Sequence, residues 1–386
     1  MPDYLSPGVY VEDVPPTAHP IAGVSTSTAA FLGVVPATVS MPPKPGPTAP
    51  DYQLAPAGTP VMLTNWASFT TRFGQFSPDN ATLAHAVFGF FANGGSRCYV
   101  VRAAAGADLT NPGDLLATLE AYDDVSVVAV PGAVDSTSHQ ALVEHCVKLQ
   151  DRIAILDGGS PDSLDLTALT GIRPFGPSKE AAFAALYWPW ILTAGPGTAI
   201  TKVAPSGHVA GVYARTDATR GVFKAPANEG LLGAVDVSYR VSRGEQDVLN
   251  PGGINVIRPF NGAIKVWGAR TLADSTAAEF TYVSTRRYLS FLRDSIIAGT
   301  DWVVFEPNSP SLWQKIVRNV GDFLLGQWRE GALFGETPAK AFYVRCDAST
   351  NPPEVRDLGR LVTEIGVAVV KPAEFVVFRI QQTTGQ

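Results

Sequence analysis

Cysteine is nearly absent. Three residues, Cys98, Cys146 and Cys346, lie far apart in a chain of 386. They form no CxxC pair and no zinc-type spacing, and an odd number argues against a disulfide framework, so reduced thiols are expected. Charge is also sparse, at 17% of residues against about 25% in ordinary globular proteins. A chain so lightly charged is expected to hide part of its surface against other subunits. Its 29 basic residues are outnumbered by 35 acidic ones, a formal net charge of −6. That balance weighs against direct nucleic-acid binding. No apolar run approaches the ~20 residues of a membrane span, so no membrane insertion is expected. The opening Met1-Pro2-Asp3-Tyr4 has neither a basic nor an apolar stretch, and a soluble product without an export signal is expected. Catalytic signatures are missing: there is no Walker A, GxGxxG, HExxH or GxSxG pattern. His139 and His145 are six apart on a helical stretch, about 240° around the axis, so one helix face cannot offer both to a metal. No metal, cofactor or catalytic residue is expected.

The length implies two or three domains at ~100–200 residues each. Glycine (36) and proline (31) are plentiful without reaching low-complexity levels, which implies a turn-rich folded chain. Ser6-Pro7-Gly8 opens a turn, and Val9 to Val14 reads as a strand stopped by Pro15 and Pro16. Residues 36–60 hold eight prolines and read as an exposed extended loop. From about 123 the texture becomes α/β. Short apolar runs at Val125–Val130, Ile153–Leu156 and Phe183–Ile191 flank a helical stretch from Thr137 to Gln150. That order suggests parallel strands in a layered module. Residues 204–250 read as irregular. Strands follow near 254–258 and 264–267. Next comes a helix with a Tyr288, Leu289, Leu292 and Ile296 stripe stopped at Gly299, and then a strand from Asp301 to Glu306. A second helix buries Leu312, Ile316, Val320, Phe323 and Leu324. The last strand, Glu374 to Gln381, is apolar on both faces, so both faces should be covered.

Two places carry residue types that chemistry uses. Asp157-Gly158-Gly159-Ser160 follows an apolar run, where α/β sheets often place ligands; a turn ending a strand explains it more simply. Pro205-Ser206-Gly207-His208 with Asp217 supplies the types of a Ser-His-Asp triad, but types without geometry are weak, and a turn is the simpler reading. Trp188 and Trp190 suit a sugar- or receptor-binding platform, though aromatics on a strand are more often core.

Several blocks, taken together, resemble contractile tail sheath proteins. They are the leader with Gly23–Gly33, Pro205–Arg215, Gly221–Asn228, Thr300-Asp301-Trp302-Val303-Val304-Phe305-Glu306-Pro307-Asn308 and Trp328-Arg329-Glu330-Gly331-Ala332-Leu333-Phe334-Gly335. Cys346-Asp347, Thr350-Asn351-Pro352-Pro353, Ile365–Ala368 and Lys371-Pro372-Ala373-Glu374-Phe375 complete the series. The stretch 36–200 carries few such marks. The resemblance implies a structural protein, not an enzyme, of mixed α+β and α/β class. It would have two domains: an N-terminal arm (1–20), an outer α/β domain (21–253) and an inner C-terminal mixed α/β domain (254–373) with a strand arm (374–386). Partners implied are other copies of itself (six per ring), an inner tube protein, and baseplate and cap proteins. Assembly would occur in a bacterial cytoplasm, with action in a phage tail or phage-tail-like particle that contracts. An α/β hydrolase-like enzyme and a surface-binding module are the alternatives, neither with an identified site.

The residues fit that role. Val9, Tyr10, Val11 and Glu12 at one end, and Phe375, Val376, Val377, Phe378 and Ile380 at the other, form orphan strands whose backbone groups need partners. Pairing into a neighbour's sheet would provide them; the alternative pairs the two strands within one subunit. On the helix near 310–325, Lys315 and Arg318 fall opposite the apolar side at 100° per residue and are expected to face the inner tube. The alternative there is a solvated face with Arg318 paired to Asp322.

Overall fold

The structure, a computed structural model, describes residues 20–44, 46–107, 109–160, 164–196 and 199–375. Its strands are β1 (Ala29–Val34), β2 (Pro60–Leu63), β3 (Cys98–Ala103), β4 (Val127–Ala129), β5 (Ile153–Asp157), β6 (Ala184–Trp188), β7 (Ile191–Thr193), β8 (Thr201–Val203), β9 (Glu229–Gly230), β10 (Ala234–Val237), β11 (Ile254–Phe260), β12 (Ala263–Val266), β13 (Phe342–Arg345) and β14 (Glu364–Val367). The helices used below are α1 (Trp66–Phe73), α2 (Ala81–Ala92), α3 (Gly113–Ala117), α4 (Ser136–Leu149), α5 (Ser206–Arg220), α6 (Arg243–Leu249), α7 (Val283–Thr300) and α8 (Pro310–Arg329).

The larger unit is Gly23–Asp294 with 369–375. A nine-stranded sheet in the order β2-β3-β1-β4-β5-β6-β11-β12-β9 runs through it. From β3 to β11 the pairing is parallel, and the outer strands β2, β12 and β9 are antiparallel. Such central strands must be apolar on both faces, and they are. In β1, Ala29 and Phe31 join one core cluster while Ala30 and Leu32 join the other; in β5, Ile153 and Ile155 face one way, Ala154 and Leu156 the other. Helices α1, α2 and α5 cover the first face, and α4 covers the second.

The expected runs at 125–130 and 153–156 and the helix at 137–150 are present as β4, β5 and α4. Three expectations need correcting. Residues 204–250 are not irregular: Ser206 to Arg220 is a buried 15-residue helix. Glycines at 207 and 211 lower its intrinsic propensity, yet there a methyl group would overlap the backbone of Ala86 and the carbonyl of Phe90. These glycines let α5 lie directly on α2. Asp301–Val303 is a 3-10 turn, not a strand; Val304 is 63% exposed and Phe305 fully so, at φ +69°. Gly299 lies inside α7 rather than ending it.

The Pro-rich segment is also more fastened than an exposed loop. Arg102, itself buried, donates from Nε to the Ala55 carbonyl (2.8 Å) and from Nη1 to the Val35 carbonyl (2.7 Å). Val39 and Ala55 are buried, and Met41 and Leu54 pack against the same core, so the segment is pinned at two places.

The smaller unit is 20–22 with Ser295–Ala368. These compact units divide at 294–295, whereas the domains read from the sequence divide at 253–254. The reason is that β11 pairs with β6 and β12 with β11, which binds 254–266 into the large sheet. The smaller unit holds α8 and the two-stranded antiparallel sheet β13–β14. Helix α8 starts at Ser309, whose hydroxyl accepts from the Leu312 amide, with Pro310 in the first turn. It buries Leu312, Ile316, Val320 and Leu324; Phe323 is half-buried. Each fully buried side chain of this kind contributes about 1.5–3 kcal/mol.

Candidate functional site

Where each chain end meets the larger unit, a buried or half-buried arginine grips a carboxylate. At the N-terminal root, Thr26 precedes β1. Its hydroxyl donates to Asp217 Oδ2 (2.7 Å) on α5. Arg287 on α7 donates from Nη1 to Asp217 Oδ1 (2.9 Å) and from Nη2 to the Thr26 carbonyl (2.9 Å). The two charged side chains are 4% and 5% exposed. Burial by itself would lower the Arg287 pKa, but the facing Asp217 carboxylate outweighs it and the net shift is upward. The guanidinium also lies 4.7 Å over the Tyr213 ring, and Tyr213 shares a 2.6 Å hydroxyl hydrogen bond with Tyr187 of β6. The N-terminal segment is thus tied to α5, α7 and, through the tyrosines, the sheet.

At the C-terminal root one carboxylate collects four hydrogen bonds. Glu374 accepts from Arg270 Nε (2.8 Å) and Nη2 (2.7 Å), from the Tyr282 hydroxyl (2.9 Å) and from Asn250 Nδ2 (2.8 Å). Asn250 caps α6, Arg270 follows β12, and Tyr282 immediately precedes α7. Burial works to raise the Glu374 pKa, yet the hydrogen bonds from Arg270, Asn250 and Tyr282 prevail and hold it below the usual carboxylate range.

Neither root was identified from the sequence. The partners are 70 positions apart for Arg287–Asp217 and 104 for Arg270–Glu374, and no local spacing signals them. Of the expected strand residues, Val9, Tyr10, Val11 and Glu12, and Val376, Val377, Phe378 and Ile380, lie outside the described residues. Phe375 is described, in irregular backbone and 74% exposed. Lys315 and Arg318 are exposed on α8, away from its buried Leu312, Ile316 and Val320. Among the described residues Arg318 makes no ion pair with Asp322.

The residue types noticed for chemistry serve packing. Asp157, buried at the end of β5, accepts from the Ser206 amide (2.8 Å), the Ser206 hydroxyl (2.7 Å) and the Gly132 amide (2.9 Å). It caps the start of α5 and ties it to the turn after β4. Burial pushes its pKa up to about 6, against those three hydrogen bonds. Ser206 therefore serves Asp157, Asp217 serves Arg287, and the triad types of Ser206, His208 and Asp217 assemble no relay. Trp188 is buried in β6, and Trp190 donates to the Gly158 carbonyl (2.8 Å), so neither offers an open platform. No group of three or more His, Cys, Asp or Glu that could hold a metal occurs among the described residues. No helix among them is long and apolar enough to cross a membrane.

The smaller unit is conspicuous for what it leaves outside. Half of the large hydrophobics exposed among the described residues belong to it, including Val304, Phe305, Phe334, Tyr343 and Leu358. Among the described residues its sheet has two strands, β13 and β14, with Tyr343 packed over Gly366 and an Arg345–Glu364 pair across the ladder. The sheet packs against α8, the support that a pair of strands needs in water.

Comparison with known proteins agrees. The phage tail sheath protein central domain matches residues 103–272, and the phage tail sheath C-terminal domain matches 275–383. A prophage major tail sheath protein of Pseudomonas aeruginosa (strain UCBPP-PA14) is 28% identical over 238 residues, 60% of this chain and 58% of the relative. The alignments thus span about half the length of the curated relatives. Among solved structures, the sheath complex of the extracellular contractile injection system PVC in the contracted state is 27% identical. It matches with a TM-score of 0.79 over 99% of both chains. A chain of the 6-fold symmetrised baseplate of the anti-feeding prophage is 29% identical, with a TM-score of 0.74 over 99% of this chain and 100% of that one. These relatives are structural proteins, not enzymes, and their mixed helices and sheets are those seen here. Two consecutive sheath domains, matched in order over most of the chain and joined to a shared fold, identify it as a member of the contractile tail sheath protein family.

Proposed function

We propose that the chain is the structural subunit of a contractile sheath. Copies stack as helically arranged rings of six around an inner tube and shorten to drive the tube through a target envelope. A baseplate and a terminal cap complete the particle, which is assembled in a bacterial cytoplasm. The 6-fold baseplate relative supports the ring number, and the sheath relative in a contracted state supports the motion. Subunits are linked by terminal strands, Val9–Glu12 and Phe375–Ile380, which add to a neighbour's sheet through main-chain hydrogen bonds. Such head-to-tail links propagate as a helix rather than closing into a dimer. The observation that carries this reading is that both ends of the larger unit are fastened, at Thr26 and Glu374, while β13–β14 is a sheet of only two described strands that a neighbour's strand could extend. Contraction draws on metastable packing set at assembly. Each subunit that buries more apolar surface gains ~25 cal/mol per Å², and many subunits add up to an effectively irreversible step. Helix α8 presents Lys315 and Arg318 to the tube, and the middle of 36–60 faces outward.

The test is truncation. Removing 1–15 or 376–386 spares both roots. Each truncated chain is expected to stay folded and soluble but to form no tubes under the electron microscope. Full-length sheaths from either truncation would remove that strand from the account.

A further inference from the structure

We propose that Glu374 is a releasable latch that sets the free length of the C-terminal arm. The proposal rests on the sheath reading above. Residues 369–375 follow directly on the smaller unit, where the Ala368 amide donates to the Ala341 carbonyl (2.8 Å) and the Phe334 amide donates to the Ala368 carbonyl (2.7 Å). Yet this segment belongs with the larger unit. Among its described residues, Glu374 is the one whose side chain hydrogen-bonds that unit. The segment is bridge-paired at Val369 and held again by the side chain of Glu374, with Pro372 between them.

The closed latch makes the larger unit the origin of the arm. Opened, the next hold back along the chain is the bridge at Val369, and the five residues 370–374 can extend. At ~3.3–3.6 Å per residue that adds at most about 17 Å of reach. A link between subunits that must survive a large rearrangement needs such slack.

The geometry separates this root from the other. Arg287 and Asp217 are 4% and 5% exposed, sealed from water. Arg270 and Glu374 are 19% and 18% exposed, so water reaches the pair and can replace it. The four donors also come from three segments, the end of α6, the loop after β12 and the residue before α7. A shift of any one weakens the grip. The N-terminal root is built to stay, and the C-terminal root is built to yield.

Hydrogen exchange on the soluble full-length chain, followed by electron microscopy of its tubes, decides the matter. Glu374→Gln keeps the shape and removes the charge. It is expected to speed exchange across 369–375 at least tenfold while leaving α5 unchanged. Arg270→Lys keeps the charge but loses the two-pronged fork, and Tyr282→Phe removes one donor; each is expected to give a smaller increase, roughly threefold. Tubes of Glu374→Gln are expected to form with a longer or more variable axial repeat than the wild type. Exchange within twofold of wild type in Glu374→Gln overturns the latch, as does an unchanged axial repeat. If the wild type itself forms no tubes, the sheath reading fails, and the exchange comparison still decides whether Glu374 fastens the segment.

Discussion

Replacing Arg287 with Met should be among the most damaging single changes in the larger unit. The side chain is 4% exposed and its partner Asp217 5%. Without the guanidinium, Asp217 keeps one donor, the Thr26 hydroxyl at 2.7 Å, and the Thr26 carbonyl loses its 2.9 Å partner. Leaving a buried charge unpaired costs about 3–5 kcal/mol. The methionine stem replaces much of the lost apolar contact with Tyr213, so little of the effect is packing. Removing both charges, in Arg287→Met with Asp217→Leu, should recover most of the loss, because the expense lies in the stranded carboxylate. The assay is native-state hydrogen exchange of α5 and β1, which reports the larger unit without requiring the whole chain to unfold in one step. A loss below about 1 kcal/mol for the single variant would show that Asp217 finds water or another donor, and would refute the account of a sealed N-terminal root. A double variant as unstable as the single one would refute it equally.

The remaining predictions are narrower. Reversing Lys315 and Arg318 to Glu should leave the fold intact, since both are exposed on α8, but block loading onto the tube; normal loaded particles from the double variant would leave only a solvated face. His208 is buried, and burial, with a smaller push from His85, lowers its pKa from 6.5 to about 4. Between pH 6.5 and 4 the unfolded chain therefore binds the extra proton, so this contribution is complete above pH 6.5 and is lost as pH falls towards 4. His208→Phe should flatten that slope by about 3 kcal/mol, and an unchanged pH profile of urea unfolding would contradict it. Asp157, raised to about 6, acts with the opposite sign, so Asp157→Asn should steepen the same acid loss. Limited digestion of intact particles with a broad-specificity protease should cut first within 40–54, the part of the Pro-rich segment between its buried residues Val39 and Ala55; first cleavage within α8 would reverse the outward assignment.

The legible parts of the fold are those whose partners are close in sequence. The strands β4 and β5 and the helix α4 were readable because apolar runs and a 3.6-residue period are local signals. Helix α5 was missed because Gly207 and Gly211 depress helix propensity for a reason that lies on α2, more than a hundred residues earlier. The stretch Asp301–Glu306 has the β-branched, apolar texture of a strand. It turns outward instead, leaving Val304 and Phe305 exposed. Lys315 and Arg318 could be placed on the outer face of α8 from periodicity alone. The two roots could not be seen, because Arg270, Asn250 and Tyr282 converge on Glu374 only after the chain has folded. The division at 294–295 was hidden for the same reason, since β11 and β12 join the large sheet through pairing with β6.

Electron microscopy of the purified full-length protein at rising concentration decides whether this chain builds a sheath. The prediction is hollow tubes with helical order and sixfold rings, with density for a strand of one subunit lying beside β13–β14 of the next. Single compact particles at every concentration, or tubes in which both terminal strands pair within their own subunit, would contradict it.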